Sequence, residues 1–206
     1  MFRRGGDLLL LNSLLLILGL CWPVLGAGPF GLAQEPPSGW RSWNSMGPRV
    51  TQAKMEAAME ALAKKWDGGQ QSLADLGYAT AGLDDAWQAC GTGVDGSFHD
   101  RQGAPLVNTT KFPDMGAMVK KAHALGLKSG FYINNCICGE NMWRGNASWE
   151  QVVYEGTVKA IVDWGFDGVK VDGCSQFANM SKWAELFNAS GEHIHRLLHG
   201  YDCTLF

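Results

Sequence analysis

Little in this sequence suits a polyanion, a nucleotide or a metal. Lysine and arginine total 17 against 20 aspartates and glutamates, a formal net charge of −3 over 206 residues. There is no basic patch for nucleic acid and no polybasic segment for a membrane surface. No glycine-rich loop opens a helix as a phosphate cradle, which weakens a dinucleotide-binding reading. His99, His123, His193, His195 and His199 form no nucleophile or metal constellation. The apolar run from Leu8 to Leu20, broken by Asn12, Ser13 and Gly19, is too short to span a membrane comfortably. What is present is the composition of an ordinary globular core, with 46% hydrophobic residues.

The first residues read as an address. Arg3 and Arg4 precede the apolar run, and Pro23, Gly26, Ala27 and Gly28 follow it, the layout of a secretory signal peptide over residues 1–28. A single membrane anchor is the alternative, disfavoured because no stop-transfer charge cluster follows Leu20. After cleavage no membrane partner is expected. Sequons at Asn108, Asn146, Asn179 and Asn188 suit the same compartment. With Cys21 in the leader, Cys90, Cys136, Cys138, Cys174 and Cys203 remain. That odd set leaves one thiol without an internal partner in an oxidising compartment.

Residues 29–38 form a short linker, and strand-like and helix-like stretches then alternate. Trp40 to Met46 is a short aromatic strand candidate. Thr51 offers an N-cap for a helix carrying Met55, Ala58, Met59 and Leu62, which Leu73 and Leu76 resume after Gly68 and Gly69. Gly77, Gly126 and Gly165 each separate a helical pattern from an apolar strand, the strands being Tyr78–Leu83, Leu127–Ile133 and Phe166–Val171. Serial units of this kind imply a parallel sheet with right-handed crossovers.

An open doubly wound sheet and a (β/α)8 TIM barrel both meet that description. The polar residues at strand ends, Asp84 and Asp85, Asn134 and Asn135, and Asp172, favour the barrel, whose sites lie on that rim. A closed barrel takes about 250 residues. The expectation is therefore an α/β barrel truncated to roughly its first four or five β/α units, over residues 39–191. Residues 192–206 form an atypical tail, because Glu192 to Gly200 lacks the β-branched run of a fifth central strand.

Lys170-Val171-Asp172-Gly173-Cys174 is the most informative stretch. Residues two apart on a strand share a face, so Lys170 and Asp172 point inward while Val169 and Val171 meet the helices. A lysine beside an aspartate keeps the carboxylate ionised, as a nucleophile requires. A buried salt bridge without chemistry is the equal alternative. Asp84 and Asp85, with Trp87 nearby, suit a sugar, with acceptors for ring hydroxyls and a flat face for C–H groups. Metal binding and helix capping are the rival readings. Trp40 and Trp43 cannot share a strand face, so one lies at the rim. Tyr132 either meets a ligand or plugs the barrel.

Five motifs in order carry a resemblance: Gly39-Trp40 with Trp43-Asn44, Leu83-Asp84-Asp85 with Trp87, Lys111-Phe112-Pro113, Gly126-Leu127-Lys128 with Gly130-Phe131-Tyr132, and Asp163-Trp164-Gly165 with Lys170 to Cys174. Together they resemble glycoside hydrolase family 27, the melibiase family of α-galactosidases and α-N-acetylgalactosaminidases. The resemblance implies a (β/α)8 catalytic domain acting by double displacement, with Asp172 as nucleophile and no cofactor. It implies Trp43, Asp84, Asp85, Tyr132, Lys170 and Cys174 around an α-galactoside, and a disulfide from Cys174 to Cys138 or, as second choice, Cys136. The acid/base would lie on a later strand, beyond residue 206, which makes an inactive galactose-binding product the alternative to an enzyme. The family includes both galactosidases and N-acetylgalactosaminidases, and the loop that separates them is not matched here. A homodimer stays open for a full-length parent. Ala86 replaces the cysteine that the family carries after its paired aspartates, so that bridge is missing and Cys90 has no obvious partner.

Overall fold

The computed structural model describes residues 38–66, 68–133, 137–138, 147–173, 177–191, 194 and 196–199. The expected signal peptide, Asn146, Cys136 and Cys174 lie outside the described residues. Five parallel strands form one sheet: β1 (Gly39–Arg41), β2 (Thr80–Gly82), β3 (Lys128–Ile133), β4 (Gly168–Val171) and β5 (Arg196–His199). Their order in space is their order in sequence. A doubly wound sheet reverses direction at a switch point, whereas a barrel advances strand by strand. The order therefore decides between the two architectures in favour of the barrel wall.

Helices α2 (Gln52–Ala63), α3 (Met115–Ala124), α4 (Ala147–Trp164) and α5 (Met180–Ala189) cover one face of that wall. Each shows the sequence logic of a surface helix. Thr51 accepts the Lys54 amide at the start of α2, Asp114 the Ala117 amide at α3, and Asn179 the Lys182 amide at α5. Buried residues recur at helical spacing, with Met55, Met59 and Leu62 on α2 and Met115, Met118, Val119 and Ala122 on α3. Trp183 and Phe187 continue the core from α5. From the sheet, Ala81, Leu83, Phe131, Ile133, Val169 and Val171 meet these helices. The alternate positions Arg41, Gly82, Gly130, Tyr132 and Lys170 therefore face the other way, into the barrel.

Three expectations are corrected. The aromatic strand stops at Arg41, and Trp43–Met46 is instead a short helix α1. Ser42 turns the chain there, its amide donating to the Gly82 carbonyl. Leu73 and Leu76 do not extend α2. They lie in a turn, 40% and 58% exposed, closed by reciprocal bonds between Ser72 and Asp75. The tail is not wholly irregular, because β5 pairs with β4 through its backbone without β-branched residues. Among the described residues no helix is long and apolar enough to cross a membrane.

Candidate active site

The C-terminal ends of β1 to β4 deliver polar groups to one rim. Beyond β2, the Asp84 amide donates to the Ser42 hydroxyl at 2.9 Å, which ties the acidic doublet to the end of β1. Asp84 and Asp85 are both buried. The Asp85 amide donates to Asp84 Oδ1 at 2.9 Å. The other oxygen, Asp84 Oδ2, receives the Lys170 ammonium at 2.9 Å.

That ammonium also lies 3.5 Å from Asp172 Oδ2. One lysine head therefore touches a carboxylate from each of two strand ends, which places Asp84 and Asp172 on the same side of the sheet. Lys170 is itself buried, and its head stands 5.1 Å from the centre of the Tyr132 ring. Tyr132 donates to Asp172 Oδ2 through a long hydrogen bond of 3.3 Å. Burial, and then the negative charges of Asp85, Asp172 and Asp84, push the Tyr132 phenol far above its ordinary range. It stays a neutral donor. The Asp172 side chain is 30% exposed, the most accessible carboxylate of the three.

Asp85 is held differently. Its Oδ1 accepts the Ala86 amide at 2.7 Å and Gln88 Nε2 at 2.7 Å, and its Oδ2 accepts the Ile137 amide at 3.1 Å. No helix follows Asp85, so the capping alternative is overturned. Ala86 has φ 80°, a left-handed backbone that a residue with a Cβ adopts at a conformational cost. Burial raises the Asp85 carboxyl above the usual carboxylate range, with these hydrogen bonds opposing and Asp84 adding. Among the described residues no group of three or more His, Cys, Asp or Glu is arranged to hold a metal ion.

Trp43 stands at the rim, 41% exposed, one residue after the serine that anchors Asp84, while Trp40 packs on the core. The expected Cys138–Cys174 bridge is corrected. Cys138 is bonded to Cys90, with Cα atoms 5.1 Å apart. The physical reason is reach, since the loop after β2 and the loop after β3 meet beside Asp85, where Ile137 donates to it. Cys90 thus has the partner that the sequence did not offer it.

Sequence reasoning missed Arg41. Its side chain faces the barrel interior, Nη1 donates to the Leu83 carbonyl at 2.7 Å, and the same nitrogen lies 3.6 Å from Asp84 Oδ2. Ser42, Gln88 and the Ile137 amide were also missed. Their role is local hydrogen bonding to the doublet, for which the sequence carries no spacing signal.

Comparison with known proteins adds to this geometry. The family model described as Alpha galactosidase A (Melibiase_2) matches residues 35–200. An alpha-galactosidase of Cyamopsis tetragonoloba is 31% identical over 147 residues, 70% of this chain and 31% of the relative. Alpha-galactosidase mel1 of Schizosaccharomyces pombe is 30% identical over 148 residues, 70% and 30% of the two chains. Among solved structures, alpha-galactosidase I from Mortierella vinacea aligns with TM-score 0.64 and 27% identity, covering 84% of this chain and 42% of that one. The alpha-galactosidase of Saccharomyces cerevisiae, at TM-score 0.60 and 21% identity over 82% of this chain and 36% of that one, shows the same fold. The chain spans about a third of the length of the curated relatives it matches.

Proposed function

Because the chain belongs to the Alpha galactosidase A family of melibiases, we propose that it supplies the nucleophile half of a retaining glycoside hydrolase acting on terminal α-D-galactosyl residues. Oligosaccharides, glycolipids and glycoproteins are the substrate class. The observation that carries this reading is the single Lys170 ammonium between Asp84 and Asp172. It neutralises part of the repulsion between a carboxylate that accepts sugar hydroxyls and one that attacks carbon.

In the proposed reaction an Asp172 oxygen attacks the anomeric carbon as the bond to the leaving oxygen breaks. The leaving oxygen takes a proton from a second carboxyl group. A galactosyl ester on Asp172 results, and water, deprotonated by that same second group, then displaces Asp172. Lys170 and Tyr132 keep the Asp172 oxygen aimed. Asp84 and Asp85 accept the hydroxyls of the sugar, and Trp43 offers an apolar face at the rim; Cys174, outside the described residues, is assigned to the site by the family resemblance alone. The acid/base is assigned to a later strand of the barrel, as the family resemblance implies. N-acetylgalactosamine in place of galactose is the nearest variant of this reading.

An activated galactoside tests it, because p-nitrophenolate leaves without a proton. Incubation with p-nitrophenyl α-D-galactopyranoside should release nitrophenol in a burst and leave one hexosyl group on the peptide containing Asp172, read by mass spectrometry. Asp172→Asn should abolish both and keep D-galactose binding. Label on another residue, or a burst that survives in Asp172→Asn, would remove Asp172 from the role. Sugar binding with neither burst nor label would favour a binding protein over an enzyme.

The leader over residues 1–28 and the sequons place the protein, on this reading, in the secretory pathway, bound for the cell exterior or for a lysosome or vacuole. Asn179 and Asn188 are exposed and Asn108 is half-buried. The Cys90–Cys138 bond suits the same oxidising route.

A further inference from the structure

Two glycines stand where strand physics disfavours them. Gly82 on β2 and Gly130 on β3 lie side by side in register with Arg41 on β1. Glycine weakens a strand interior unless something must approach the backbone closely. Neither residue has a positive φ, so conformational freedom does not explain them. Space does. A Cβ on Gly82 would sit 2.8 Å from Arg41 Cζ, and one on Gly130 would sit 3.2 Å from Arg41 Nη2. The two glycines form the bed on which the guanidinium lies.

From that bed Arg41 reaches forward. Nη1 donates to the Leu83 carbonyl at 2.7 Å and stands 3.6 Å from Asp84 Oδ2, a charge contact beyond hydrogen-bond length. The same oxygen takes the Lys170 ammonium at 2.9 Å. Asp84, 2% exposed, is therefore a buried carboxylate with two cations on one oxygen. Two cations there leave Lys170 able to lean toward Asp172 at 3.5 Å. A guanidinium also keeps its charge at any pH the protein survives.

We propose that Arg41, bedded on Gly82 and Gly130, is a positioning residue that acts through Asp84, fixing the sugar-gripping carboxylate and sharing its charge so that Lys170 serves Asp172. The sugar half of this statement rests on the galactoside reading above; the charge half does not. Arg41→Leu should weaken D-galactose binding about tenfold, the scale of one lost charge-assisted contact. Arg41→Lys should recover most of that loss. Gly82→Ala should reproduce the Arg41→Leu loss, since its Cβ displaces the guanidinium. Adding Arg41→Leu to Gly82→Ala should then cost nothing more.

Titration calorimetry with D-galactose reads these arms in the full chain, and urea unfolding at several pH values reads the charge. If Arg41 acts on the Asp84 charge, the stability deficit of Arg41→Leu shrinks as acid neutralises the carboxylates, and Arg41→Lys shows little deficit at any pH. A deficit constant with pH would reduce Arg41 to packing and overturn the proposal. So would Arg41→Leu binding galactose as tightly as the parent. A parent chain that binds no galactose but keeps the pH-dependent deficit would sink the galactoside reading and leave the Arg41–Asp84 coupling standing.

Discussion

Asp85 sits in surroundings that do not favour its charge. Burial holds its carboxyl above the ordinary range, against the pull of Ala86, Gln88 and Ile137. A carboxyl raised in the folded state binds its proton more tightly there than in the unfolded chain, so its ionisation costs stability. That cost is absent below the unfolded pKa of about 3.9, grows as pH climbs to the folded value, and is constant above it. Asp85→Asn cannot ionise. Its urea midpoint relative to the parent should therefore move in favour of the variant as pH rises from about 3 to 7. A difference that stays level over that range would mean that burial does not perturb Asp85. The inward pointing of Lys170 with Asp172, and the acidic doublet at a strand end, are legible in the sequence because strand alternation has a period of two. Arg41 is not. A strand of three residues gives no alternation to read, and the informative signal was a glycine in each of the next two strands.

Helices and loops carry their own test at the contact between α4 and the segment around Gly103. Gly156 lies within α4, and a Cβ there would stand 2.3 Å from the Gly103 carbonyl carbon, 2.5 Å from Gln102 O and 2.6 Å from Ala104 N. Replacing a helix glycine by alanine ordinarily stabilises by about 1 kcal/mol. Here the added methyl meets backbone atoms, which cannot rotate away, so the sign reverses. Gly156→Ala should destabilise by about 1–3 kcal/mol or more, read as a lower urea midpoint with an unchanged slope. A stabilised variant would disprove the close approach. Helix patterns such as Met55, Met59 and Leu62 were visible because burial repeats with the helical turn. The role of Gly156 was not, since its contact lies across the fold. Leu73 and Leu76 misled for a related reason: apolar spacing predicts a buried face, but the Ser72–Asp75 turn leaves both side chains in solvent.

At the scale of the whole molecule, alternating units made a parallel sheet legible and the polar strand ends favoured a barrel, but the wall advancing from β1 to β5 includes a fifth strand that the sequence did not announce. Cysteine pairing was beyond the sequence, because spacing does not fix connectivity. The observed bond joins Cys90 to Cys138 across 48 residues. It clamps the loop after β2 to the loop after β3, beside the point where the Ile137 amide reaches Asp85. A link of this kind constrains the unfolded chain and contributes about 2–4 kcal/mol. It also fixes one of the donors to a buried carboxylate, so its effect should extend beyond stability. Peptide mapping without reductant should recover Cys90 and Cys138 in one linked fragment. Replacing both by serine should lower the unfolding free energy by about 2–4 kcal/mol and weaken D-galactose binding as the Ile137 amide leaves Asp85. A Cys138 found linked to Cys174, or a Cys90 thiol that alkylates in the native protein, would break the connection between this bond and the site. Lost stability with sugar affinity intact would confine the bond to holding the loops together.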